Sequence, residues 1–116
     1  MKPSIIFIIT SDPRNSPRPA EAFRIAAGVA VWQKAEVSVY LRGAAVQALS
    51  EGADELVDEE SFTRYLPMMS EFGRLIYVQQ GALLLREVGR ATLPFEEIDD
   101  QKLADLSAGC SYVVRF

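Results

Sequence analysis

The stretch IIFIITSDPRNSPRPAEAF, Ile5 to Phe23, decides how the rest of the chain is read. It passes from unbroken apolar residues into a loop holding two arginines and three prolines, then directly into a helix start. A run such as Ser4 to Thr10, with no polar residue at alternate positions of its centre, predicts a strand buried on both faces. That is the pattern of a parallel sheet covered by helices. The helix is expected from about Pro17 to Lys34, with Ser16 as its N-cap and Pro17 at the first helical position. Pro19 still lies in the first turn, where no intrahelical amide donor is needed.

Outward from this unit the alternation continues. EVSVYLRG predicts a second strand closed by Gly43, and AAVQALSEG a short helix ended by Gly52. The acidic run Asp54 to Glu60 leads into a helix with Phe62, Tyr65, Leu66 and Met69 on one face, which Pro67 is expected to break or kink near Leu66. RLIYVQQ predicts a third strand, GALLLREVG a short helix, Asp99 to Leu106 another helix and CSYVVRF the last strand. A further strand is needed to complete the sheet, with Glu55 to Asp58 and Ala91 to Glu96 as its two candidate places. Strands alternating with helices predict an α/β fold, three-layer α/β/α, with a mostly parallel sheet of about five strands. A chain of 116 residues with 49% hydrophobic content is expected to form a single domain, 1–116.

Composition excludes several chemistries. The chain has no histidine, which removes imidazole general acid–base catalysis, the Ser-His-Asp and Cys-His nucleophiles and every His-containing metal site. With 12 basic and 16 acidic residues, net −4, it has no overall field to draw in a phosphate backbone, so no nucleic-acid partner is expected. One cysteine, Cys110, forms neither an internal disulfide nor a thiolate cluster, and nothing points to an oxidising compartment. The run Ile5 to Ile9 is shorter than a signal-peptide core, and no apolar stretch nears the roughly 20 residues that cross a bilayer, so no membrane partner is expected and a cytoplasmic location is. Neither a G-x-G-x-x-G nor a P-loop pattern is present, and no cofactor or metal is expected. The acidic run Glu51 to Glu60 lacks the spacing of a calcium loop and reads as a solvated linker supplying negative charge to a helix start.

Ligand-binding candidates follow from the carboxyl-edge rule for parallel sheets. The loop after the first strand offers Arg14 and Arg18 as clamps for a small anion, with Ser11 and Ser16 as further donors. A solvated connector is the competing reading of that loop. Gln79 and Gln80 end the RLIYV strand. Since adjacent strand residues point to opposite faces, only one of them can face a crevice beside the loop, and strand-end backbone groups are an alternative use for either amide. The helix AEAFRIAAGVAVWQKA is apolar around most of its circumference, which suggests burial on two sides. Val29 and Trp32 are therefore candidate interface residues, joined by Met68 and Met69 of the apolar LPMM patch. Cys110, with no visible thiolate-stabilising neighbour, is expected to be buried and unreactive.

The order of these elements resembles the DsrE/DsrF/DsrH-like group of small sulfur-relay proteins. IIFIITSDP with its alanine-rich helix, AEVSVYLRGAAVQAL and the ending LADLSAGCSYVVRF carry the resemblance, which spans nearly the whole chain. It implies a compact α/β/α fold, cytoplasmic location, and a homo-oligomer or an assembly with related DsrE-like subunits. Catalytic members carry a persulfide-accepting cysteine at the end of a central strand, in a strand-Cys-x-x-Cys-helix pattern. In IYVQQGALLLREVG, Gln79 stands in the place of the first cysteine and Ala82 in that of the second. An amide has no ionisable thiol and cannot act as a sulfur nucleophile. The resemblance thus implies a non-catalytic binding or partner subunit. The alternatives are a sulfurtransferase using Cys110 and a small-anion or nucleotide binder using Arg14 and Arg18.

Overall fold

β-branched and aromatic residues dominate the strands, as a pleated surface buried on both sides requires. The computed structural model of the chain describes residues 2–49, 56–72, 76–81 and 95–116. Within them run β1 (Ser4–Ile9), α1 (Arg18–Trp32), β2 (Glu36–Leu41), a 3₁₀ segment (Gly43–Leu49), α2 (Glu59–Phe72), β3 (Ile76–Gln79), β4 (Phe95–Ile98), α3 (Asp100–Ala108) and β5 (Tyr112–Arg115). The strands form one five-stranded sheet in the order β4-β3-β2-β1-β5, with every pairing parallel. Ser4 to Ile9 pair in register with Glu36 to Leu41, and Ile5 to Ile8 with Tyr112 to Arg115. β1 therefore has a neighbour on either side and packs residues into the cores on both faces, as its apolar run predicts.

The path across the sheet sets the layers. From β1 through β2 to β3 the chain steps in one direction, and right-handed crossovers then place the connecting helices on one face. From β4 to β5 it steps back across the whole sheet, so α3 falls on the opposite face. The cores agree: Phe7, Ile9, Val39, Leu41 and Val78 pack with Phe23 of α1 and Phe62 of α2, whereas Ile6, Ile8, Tyr40 and Ile98 pack with Leu103 and Leu106 of α3. On the first face the alanines Ala20, Ala22, Ala26, Ala27 and Ala30 are all buried, and their small side chains let α1 lie close to its neighbours. Phe23 and Phe62 meet edge to face, ring centroids 5.7 Å apart.

Several local expectations shift. α1 begins at Arg18, with Pro17 in the cap position and no side-chain cap of its own, while the Ser16 hydroxyl accepts the Arg18 N–H at 3.2 Å. The segment after β2 is a 3₁₀ helix, and its expected end at Gly52 lies outside the described residues. Pro67 does not end α2, which runs on to Phe72. Pro67 itself is exposed, and buried Phe62, Leu66 and Met69 on either side of it hold both halves against the core, offsetting the one backbone bond it removes. The extra strand is Phe95–Ile98, at the end of the second candidate window. Of the first window, Glu55 lies outside the described residues, and Leu56 to Asp58 form a bend and turn in which Val57 donates its N–H to the carbonyl of Pro13, in the loop after β1, at 2.8 Å. Most of GALLLREVG lies outside the described residues.

Candidate functional site

Parallel pairing gathers the strand exits on one edge. Thr10 follows β1, Arg42 follows β2, Gln79 ends β3, and Asp99 with Asp100 follows β4. This is the edge at which open α/β sheets bind ligands.

The loop after β1 is largely occupied with itself. The Asp12 carboxylate accepts the Arg14 backbone N–H at 2.9 Å and is clamped by the Arg14 guanidinium through Nε at 3.0 Å and Nη2 at 2.8 Å. These bonds hold the Asp12 carboxyl below its ordinary range. Pro13 is buried, and its carbonyl is held by Val57. Arg14 thus faces its own loop, whereas Arg18 is exposed and forms no ion pair with the described residues. Ser11 and Ser16 are half-buried.

Gln79 has a different use. Its Oε1 accepts the Gly43 N–H at 3.0 Å across the neighbouring strand exit. Gly43 sits at φ +58°, the left-handed conformation that turns the chain from β2 into the 3₁₀ segment. Gln79 is accordingly a brace for the β2 exit. Gln80 is exposed in the following turn and gives its N–H to the Ile98 carbonyl at 2.9 Å. A Cβ at Gly43 would meet no atom within 4 Å, so the cost of substitution there is conformational alone. Gly43→Ala is expected to lower stability by about 1 kcal/mol in urea denaturation, the penalty of an L-residue in the left-handed region.

Sequence reasoning missed the groups beside this brace. Arg42 Nη1 binds Asp100 Oδ1 at 3.0 Å and makes a longer 3.5 Å contact with the Tyr40 hydroxyl. Asp100 keeps the Arg42 guanidinium protonated still more firmly than usual. Burial pushes the Tyr40 phenol up, against the smaller pull of Arg42. The carboxyl-edge rule that singled out the loop after β1 applies equally to Arg42, the first residue after β2, and was the signal available for it.

Cys110 lies at the other edge. Ser111, its neighbour, donates its N–H to Ser4, the first residue of β1, at 2.8 Å. The thiol is half-buried against the Ile6–Ile8–Tyr40–Ile98 cluster, where full burial was expected. It stays partly open because β5 is an edge strand, and α3 has no fully buried residue with which to seal that end. The length of β1, about 20 Å at 3.3 Å per residue, separates it from the carboxyl edge.

Of the interface candidates, Trp32 is 65% exposed at the end of α1, with Val31 beside it at 43%. Val29 and Met68 are half-buried against the core. Met69 is a correction: at 0% exposure it belongs to the core, because the inward stripe of α2 that carries Phe62 and Leu66 carries it too. Among the described residues no group of histidine, cysteine, aspartate or glutamate side chains could hold a metal ion, and no helix is long and apolar enough to cross a membrane.

The model of the DsrE/DsrF-like family matches residues 3–114. No curated protein sequence matches the chain. Among solved structures, the ychN protein from E. coli is similar, with a TM-score of 0.78 at 17% identity over 100% of both chains. At that identity the likeness is one of fold.

Proposed function

Since the chain belongs to the DsrE/DsrF-like family, we propose that it serves as a non-catalytic binding or partner subunit of an oligomeric, cytoplasmic sulfur-relay assembly. One observation carries this reading. At the strand end where catalytic members hold their sulfur acceptor, this chain has Gln79, and its amide is committed to the Gly43 backbone. The thiol it does possess, Cys110, is half-buried and lies at the opposite sheet edge, so it does not replace the missing acceptor in place. Arg14, the other feature with chemical potential, is engaged by Asp12.

The test is mass spectrometry after incubation with a low-molecular-weight persulfide. A competent thiolate attacks the outer sulfur, the S–S bond breaks, and the donor leaves as its thiolate. Wild type is expected to gain no sulfur on Cys110, whereas a Gln79→Cys, Cys110→Ser variant gains one at the β3 end. Sulfur on wild-type Cys110 at a comparable rate supports instead a sulfurtransferase using that residue.

Assembly is the second half of the proposal, and exposed Trp32 is its first suspect. The protein is expected to sediment above monomer mass at micromolar concentration. Trp32→Ala is expected to weaken the association by about 2 kcal/mol, as for an aromatic at the centre of a contact. A wild-type monomer at that concentration would remove the oligomeric role.

A further inference from the structure

A cleft of ≈500 Å³ opens between α3 and the carboxyl ends of β1, β2 and β5. None of the loop or β3 candidates lines it. Its polar wall is Arg42, Asp100, Ser107 and Arg115, and its apolar wall is Ile8 with Leu103. The walls come from four separate elements, and topology brings them together: Ile8 pairs with Arg115 across the sheet, and α3 packs on the face that Ile8 shares with Tyr40.

We propose that this cleft binds a small organic anion, with a carboxylate or phosphate held between Arg42 and Arg115 and an apolar body against Ile8 and Leu103. Charge is the first argument. Two guanidinium groups face one carboxylate here, a local positive excess in a chain whose net charge is −4. Whole-molecule attraction therefore does not explain it. Availability is the second. Arg42 spends Nη1 on Asp100 and Tyr40, an anchorage that fixes the plane of its fork. Arg115 forms no ion pair with the described residues, so its fork is open to a ligand. The Thr10 hydroxyl at the cleft floor already donates to the Phe116 carbonyl at 3.3 Å. The donors left for an anion are thus the two guanidiniums and the Ser107 hydroxyl, a set suited to two or three oxygens. Shape is the third. The volume suits a small metabolite, and the apolar wall gives no gain to a bare inorganic ion.

The site does not rest on the partner-subunit reading, and its test uses no sulfur chemistry. Titration calorimetry with benzoate, phenyl phosphate and inorganic phosphate is the measurement. One of the two aromatic anions is expected to bind at submillimolar concentration and several-fold more tightly than inorganic phosphate, and which of them wins separates a carboxylate from a phosphate ligand. Arg115→Gln and Arg42→Gln are each expected to weaken that binding at least tenfold, in line with loss of a charged bidentate contact. Arg115→Lys, which keeps the charge but not the fork, is expected to fall between, and it carries the test if the glutamine variants fail to fold. Arg18→Gln is expected to leave binding unchanged. The proposal is overturned if neither aromatic anion binds at low-millimolar concentration, if inorganic phosphate binds as tightly as the better of the two, if the Arg115 variants bind like wild type, or if Arg18→Gln abolishes binding.

Discussion

Phe23→Ala is expected to lower the unfolding free energy by about 4 kcal/mol, the upper part of the range for deleting a buried aromatic ring. Phe23 is fully buried and sits where α1, α2 and the sheet meet. Its neighbours on α1 are alanines, which have no rotamers with which to fill the space it leaves, so the cavity stays open. The edge-to-face contact with Phe62 is lost as well. For a domain whose total stability is expected to be about 5–15 kcal/mol, this is a large share. Urea unfolding followed by circular dichroism measures it, with the midpoint falling while the slope is kept. A loss below about 1.5 kcal/mol would mean that α1 and α2 can close on the gap, contrary to the rigidity inferred from the alanine stripe.

The second large effect is expected at Tyr40, where replacement by alanine should cost about 3 kcal/mol and also degrade the anion cleft. Tyr40 is fully buried on the α3 face, in a cluster whose other fully packed members are Ile6, Ile8 and Ile98. A small core loses proportionally more from one deletion. Its hydroxyl also contacts Arg42, so the alanine variant frees that guanidinium at one of its two anchors. Tyr40→Phe separates the two roles: it keeps the ring and should cost under about 1 kcal/mol, the worth of one long hydrogen bond. The alkaline limb gives an independent check. Burial raises the Tyr40 phenol above its unfolded value near 10, so its contribution to stability is whole below that pH and declines as pH rises through the higher folded value. Wild type is therefore expected to lose stability above about pH 10 more steeply than Tyr40→Phe. Identical alkaline slopes for the two would mean that Tyr40 ionises as freely in the folded protein as in the unfolded chain.

The α/β class, the burial of β1 on both faces and the absence of imidazole chemistry were legible in the sequence alone, because each rests on local period or on composition. An unbroken apolar run such as Ile5 to Ile9 has one stable use, a strand covered on both faces, whatever its neighbours are. The same holds at Gln79, where the residue type alone excludes a sulfur nucleophile. Tertiary structure decided what these residues touch. Arg42 and Asp100 are 58 positions apart, and no pattern in either segment announces that they meet. They meet because the chain steps back across the sheet after β4 and starts α3 at the carboxyl edge where Arg42 leaves β2, a choice made by strand order and crossover handedness. The amide of Gln79 turned to Gly43 and the burial of Met69 were settled in the same way, by pairing across strands and between helices. Side-chain period is encoded residue by residue, but partners are chosen only when distant segments pack, and the candidate site is made entirely of such partners.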